Sequence, residues 1–292
     1  MASQVVVKGY KIQREIEQQG FRSVYLAQHL RSGKEVFLTV ILARPGRDVS
    51  ALKKRAEISL KLKIPSLVTA IEYGAVGQDF FYFSHTAIPS LPITRTLLEM
   101  PNREEALFQT VGFAIEALEA LDYLHNAQLT HRDLKTAKLR ITPYTTLLLE
   151  GFINPHPKVE SRAMASSVYL PYAAPEQLMG LPLDRKTDIY SMGVVLYELV
   201  TGTLPYASNY SKEEDARKGI VPVPSKVAAD LPSELENSIT RALSPRNSRY
   251  PTCREWITDL EEYYDKRSIG MKLKDFATSL KNMIPFMRPP VK

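Results

Sequence analysis

A chain of 292 residues with 44% hydrophobic and 24% charged side chains has the composition of a soluble globular protein, long enough for one large domain or two lobes sharing a core. Its single cysteine, Cys253, excludes an intramolecular disulfide framework, fits a reducing, cytoplasmic compartment, and reads by default as a semi-buried small apolar residue. The formal charge of +6 is uneven: in residues 265–292 seven cations (Lys266, Arg267, Lys272, Lys274, Lys281, Arg288, Lys292) face Asp265 and Asp275, a net +5 that leaves +1 for residues 1–264, so no nucleic-acid partner is expected.

Residues 1–17 lack a long apolar core and soon turn charged, which predicts no signal peptide. Val5–Glu17 and Ser23–His29 alternate apolar and polar positions, and Glu35–Leu42 is a further β-rich run after the turn Arg31-Ser32-Gly33. A helix is expected over Val49–Leu62, with Leu52, Ala56, Ser59 and Leu60 on one face and an end before Pro65. Strands are expected again at Leu67–Tyr73 and Asp79–His85. After Pro92 the pattern turns helical. Arg103–His125 places Leu107, Val111, Ala114, Leu118, Leu121 and Leu124 at the spacing of a packed helix. Asp184–Thr201, stopped by Gly202, is a second, and its run Met192–Val200 is too short to span a bilayer and reads as buried. Further helical patterns cover Ser211–Lys218, Ser233–Leu243 and Cys253–Tyr264. A strand-rich first third followed by helices is an α+β arrangement of two lobes.

The string Thr130-His131-Arg132-Asp133-Leu134-Lys135 is followed, in order, by Ala174-Pro175-Glu176, by Asp188-Ile189-Tyr190-Ser191-Met192-Gly193 and by Arg249. Together these resemble the Ser/Thr protein kinases, particularly the bacterial members, over about residues 8–264. The resemblance implies a bilobal kinase fold, with a β-rich N-lobe at 1–87, a mostly helical C-lobe at 88–264 and a basic helical tail at 265–292. It also implies structural roles: Glu176 pairing with Arg249, Asp188 holding the catalytic-loop backbone, His131 in a packed spine, and Arg132 as the arginine that pairs with a phosphorylated activation segment. Ser161, Ser166, Ser167 and Tyr169 lie in that segment as candidate phosphorylation positions.

That family transfers phosphate by positioning and electrostatic stabilisation, and this chain departs from it at the contact positions. The three loop glycines fall on Glu17, Gln19 and Arg22, where side chains obstruct the close backbone approach a phosphate needs. The third-strand lysine is replaced by Thr39, and its helix glutamate by Arg55. The alanine above the adenine slot becomes Phe37 and the aliphatic residue below it Arg140. A guanidinium resting on the ring would fill the slot, whereas side chains turned to solvent would leave it open. The metal-binding asparagine becomes Lys138, and the Asp-Phe-Gly triplet reads Glu150-Gly151-Phe152, with Glu150 expected to neutralise Lys138, Arg55 or Arg22. Tyr169 replaces the threonine ahead of Ala174-Pro175-Glu176. Asp133 and Lys135 persist, either as a general base and a phosphate contact or as remnants.

Two functions are open. A catalytically inactive kinase-like domain (a pseudokinase) would serve as a signalling scaffold or allosteric protein-interaction module, with no metal or cofactor. An atypical Ser/Thr kinase would use ATP and magnesium instead. Arg22 would then take the role that with-no-lysine kinases give a lysine at that loop position, Glu150 would bind the metal, and Asp133 the acceptor hydroxyl. In the tail, Leu273, Phe276, Ala277, Leu280, Met283 and Ile284 recur at helical spacing before Pro285. This predicts a basic amphipathic helix for a protein partner, for self-association or for a peripheral contact with an anionic membrane.

Overall fold

The computed structural model describes residues 6–43, 49–153, 170–205 and 220–268. It divides into two compact units, Met1–Pro89 with Phe152–Pro155, and Ser90–Gly151 with His156–Lys292. The helices expected at Ser211–Lys218 and in the tail, and the four candidate phosphorylation positions, lie outside the described residues.

In the first unit β1 (Tyr10–Gln19), β2 (Arg22–His29), β3 (Glu35–Leu42), β4 (Glu72–Val76) and β5 (Phe80–Thr86) form one antiparallel sheet in the order β1-β2-β3-β5-β4. Successive side chains of a strand point to opposite faces. Val36, Leu38 and Val40 of β3 therefore join Tyr10, Ala27 and Tyr82 in a core on one face, and Phe37, Thr39 and Ile41 share the other. β1 starts later than expected because Gly9, at φ +92, turns the chain just before it. The strand expected at Leu67–Tyr73 begins only at Glu72: the buried Leu67 makes an isolated bridge, and the buried Ala70 joins no strand.

One helix, α1 (Ser50–Ser59), belongs to this unit and buries Leu52, Ala56 and Ser59. It stops short of the expected Leu62, so Leu60 leaves the apolar face and is 44% exposed. Ser59 is tolerated inside because its Oγ accepts the Ala70 amide at 2.8 Å.

The second unit holds a small antiparallel sheet, β6 (Leu91–Pro92), β7 (Leu139–Ile141) and β8 (Leu147–Leu149), and the helices α2 (Ile93–Leu98), α3 (Arg103–Asn126), α4 (Pro175–Leu178), α5 (Arg185–Thr201), α6 (Ser233–Ala242) and α7 (Cys253–Ser268). The long helices begin where local signals place them. Asn102 accepts the Glu105 amide at 2.9 Å, with Glu104 and Glu105 at the positive end of α3, and Asp184 accepts the Lys186 amide of α5 at 2.9 Å. Gly202, at φ +74, ends α5.

Leu118, Leu121 and Leu124 of α3 and Tyr190 and Tyr197 of α5 are fully buried. α7 runs against α3, where the rings of Phe108 and Tyr264 stack at 4.3 Å and a side chain at Gly112 would meet the Tyr264 ring at 3.1 Å. Among the described residues no helix is long and apolar enough to cross a membrane. A β-sheet unit followed by a mainly helical one makes the fold α+β.

Glu116 of α3 is half-buried, with Oε2 accepting the Leu147 amide at 2.9 Å. Burial pushes its carboxyl above the ordinary value, and the backbone hydrogen bond only partly opposes this. The folded state therefore favours the protonated acid, so Glu116 contributes stability at low pH that is lost as pH rises through its folded value. Glu116→Gln keeps an acceptor for Leu147 and removes the buried charge. Its Tm is expected to exceed that of the parent at pH 7, with the difference gone by about pH 4.

Candidate functional site

The residues singled out from the sequence fall in both units. In the first, β1 and β2 stay paired to their tip (Glu17↔Val24, Gln18↔Ser23, Gln19↔Arg22), leaving the two-residue turn Gly20-Phe21 with Gly20 at φ +55. Across this hairpin Arg22 Nη1 donates to Glu17 Oε2 at 3.0 Å. The Arg22 side chain is 18% exposed, and its Nε is buried without a hydrogen-bond partner. Two of the three positions where the resembling family has glycines are thus tied to each other, and the third, Gln19, lies in the ladder.

On β3 the ring of Phe37 lies 5.6 Å from that of His85 on β5, and Thr39 is 1% exposed. Arg55, on α1, donates from Nε to the carbonyl of Phe152 at 2.6 Å, and its guanidinium carbon lies 4.2 Å from the centroid of the Phe152 ring. A carbonyl and a ring face are both negative, so the buried Phe152 offers the cation two contacts at once. Glu57, two positions along the helix, is exposed.

In the second unit Asp188 Oδ2 accepts the His131 amide at 2.7 Å and Oδ1 the Arg132 amide at 2.8 Å. Arg132 has φ +71, and its Nε donates to Thr130 Oγ1 at 2.6 Å. His131 Nε2 lies 3.1 Å from the Glu150 carbonyl, and its Nδ1 accepts the Asp133 amide at 3.3 Å. Lys135 Nζ and Asp133 Oδ1 are 4.0 Å apart. Lys138 ends a 3-10 turn (Thr136–Lys138), and its carbonyl accepts the Glu150 amide at 2.9 Å.

Arg140 donates from Nε to Ser90 Oγ at 2.9 Å and from Nη2 to the Ser90 carbonyl at 2.6 Å, a link made where β6 and β7 pair. Its Nε also lies 3.6 Å from Glu150 Oε1, so Glu150 meets a cation that was not among the three expected from the sequence. Glu176 and Arg249 form a bidentate pair at 2.7 and 3.2 Å, almost wholly shielded from water. Arg249 lies over the Tyr190 ring, 4.6 Å from its centroid. Phe37 and Arg140 belong to different units, each with partners in its own.

Sequence reasoning missed Phe152 and Ser90 as partners of the two arginines, and nothing local to either residue points to that role. It also missed His125, whose signal was available: a histidine one turn after Leu121 on the apolar face of α3, where a polar ring needs a partner.

The family model for the protein kinase domain matches residues 10–289. The chain belongs to the protein kinase family. Among its kinase relatives, a probable serine/threonine-protein kinase of Clostridium acetobutylicum is 26% identical over 271 residues, which cover 89% of this chain and 40% of that protein. Probable serine/threonine-protein kinase PknB of Corynebacterium glutamicum is 28% identical over 278 residues, covering 88% of this chain and 42% of the relative. The kinase-family chain thus spans about two fifths of the length of these relatives. The crystal structure of the Mycobacterium tuberculosis PknI kinase domain superposes with a TM-score of 0.68 at 22% identity, covering 90% of this chain and 99% of that one, a likeness of fold.

Proposed function

We propose that this protein-kinase domain is a pseudokinase, a signalling scaffold or allosteric module that presents a kinase-shaped surface to a protein partner and binds little or no ATP. The observation that carries this reading is Arg55. The helix position that gives an ATP-binding kinase its carboxylate holds a cation instead, engaged by the Phe152 carbonyl and ring, while the lysine position is the buried Thr39. Neither half of the phosphate-gripping pair is present.

The residues here do not fit ATP with magnesium. A hard divalent cation takes carboxylate and amide oxygens. It would meet Lys138 where the family has an amide, and a Glu150 that faces Arg140 at 3.6 Å. At the hairpin, Arg22 Nη1 is already engaged by Glu17 at 3.0 Å. The basic segment 265–292 adds a second contact surface in this reading, for protein, for a second copy or for an anionic membrane.

The names of the relatives favour a second reading, ATP-dependent serine/threonine phosphorylation. It would use Asp133 and Lys135, still 4.0 Å apart, with Arg22 on the nucleotide and Glu150 on the metal. It requires Arg22 to leave Glu17.

A thermal-shift titration separates the two. With millimolar ATP and magnesium or manganese, Tm is expected to stay unchanged. Ligand at a hundredfold excess over Kd would raise stability by about 2.7 kcal/mol, so a clear rise that disappears in Arg22→Ala or Glu150→Ala would establish the kinase reading instead.

A further inference from the structure

Away from the nucleotide positions, three helices bring one polar side chain each to a single point inside the second unit. They are His125 near the end of α3, Asp188 in the first turn of α5, and Cys253 at the start of α7. His125 Nε2 lies 2.8 Å from Asp188 Oδ2, and Cys253 Sγ lies 3.5 Å from His125 Nδ1. The His125 and Asp188 side chains are 2% and 0% exposed, and Cys253 is fully buried. The trio is shielded from bulk solvent, so its hydrogen-bonding atoms rely on protein partners.

The donors and acceptors constrain where the protons sit. Asp188 already accepts the amides of His131 and Arg132, and an ionised carboxylate only accepts. Nε2 of His125 must therefore carry the hydrogen that it shares with Asp188. A neutral imidazole protonated there leaves Nδ1 as a bare acceptor, and the group facing Nδ1 is the thiol. Burial pushes the Cys253 thiol well up. The charges of Asp188 and Asp122 act the same way, and those of Arg185 and Arg254 act against them. The thiol thus keeps its proton. His131 is the remaining titratable group that acts on Asp188.

We propose that Cys253 is a positioning residue for the catalytic loop: its S–H donates to His125 Nδ1, holds the ring in the Nε2–H form, and so keeps Asp188 turned onto the amides of His131 and Arg132. The loop needs that hold. Arg132 is a non-glycine residue at φ +71, a sparsely populated conformation that persists only where its surroundings enforce it. The relay involves no nucleotide and operates under either function above.

The test is long-range 1H–15N NMR of the histidines in the full chain, together with hydrogen exchange at the His131 and Arg132 amides. In the parent, His125 is expected to carry hydrogen on Nε2, with Nδ1 showing the shift of a hydrogen-bonded acceptor. Cys253→Ala leaves Nδ1 without a donor, so the Nε2–H tautomer is no longer held and the two amides exchange about tenfold faster. Cys253→Ser supplies a hydroxyl donor and restores both. A cysteine that only fills space would let alanine and serine act alike and would leave the tautomer unmoved. Hydrogen on Nδ1 in the parent, or an unchanged His125 in Cys253→Ala, overturns the proposal. Cys253→Val keeps the volume without a donor and replaces alanine if that variant fails to fold, and the parent's tautomer is decisive by itself.

Discussion

Arg249→Ala is expected to cost about 3–5 kcal/mol of folding stability, because it strands the buried carboxylate of Glu176. Both partners are almost wholly shielded from water, and the guanidinium reaches both carboxylate oxygens, at 2.7 and 3.2 Å. Arg249 also donates to the carbonyls of Ser244 and Lys186 at 2.8 and 3.1 Å, so its removal leaves two backbone acceptors short as well. Thr187 Oγ1, which donates to Glu176 Oε1 at 3.0 Å, cannot neutralise the charge. The measurement is chemical denaturation of parent and variant. An unchanged slope with a strongly lowered midpoint is the expected result. Removing both charges with Glu176→Gln and Arg249→Met should recover part of the loss, since the main penalty is the unpaired charge and not the absent attraction. A loss below about 1 kcal/mol in Arg249→Ala would mean that water reaches this pair in solution, as it does at exposed ion pairs.

Asp188→Asn changes one atom type and should still cost at least about 2 kcal/mol at pH 7. Three donors converge on the two carboxylate oxygens: His125 Nε2, the His131 amide and the Arg132 amide. An asparagine side chain offers one accepting oxygen and turns an NH2 group toward at least one of those donors. Each buried donor left unmet costs about 1–3 kcal/mol.

The pH dependence adds an independent check on Asp188. Burial by itself would push its carboxyl up, but the hydrogen bonds from His125 Nε2 and the Arg132 amide help bring it below the usual carboxylate value. A depressed folded value means that the stabilisation is complete above the unfolded value, near about 3.9, and is lost as pH falls through the folded one. The stability gap between parent and Asp188→Asn is therefore expected to be constant from pH 7 to 5 and to narrow below about pH 4. A gap that holds its size down to the lowest pH at which the parent stays folded would show that the carboxylate charge is not what the loop amides require.

The amino-acid sequence by itself determined the family resemblance, the α+β class and the longest elements. β3 occupies Glu35–Leu42 and α5 begins behind Asp184 and ends at Gly202, because side-chain period and capping residues act within a strand pair or a helical turn and can be read locally. The positions that depart from the kinase pattern were likewise legible one at a time. The tertiary structure alone decided what those replacements do. Arg55 meets a carbonyl and a ring on a residue 97 positions away, and Glu150 faces Arg140, because each long side chain finds its partner through packing and not through spacing along the chain. Leu60 was misplaced for the same reason, since the apolar face of α1 ended where the helix gave way to a turn. The thiol and imidazole of Cys253 and His125 are 128 positions apart, and only the folded contact of α3, α5 and α7 brings them together around Asp188. Charged and polar groups act over a few ångströms, and the distances that set their partners exist only once the chain has closed over them.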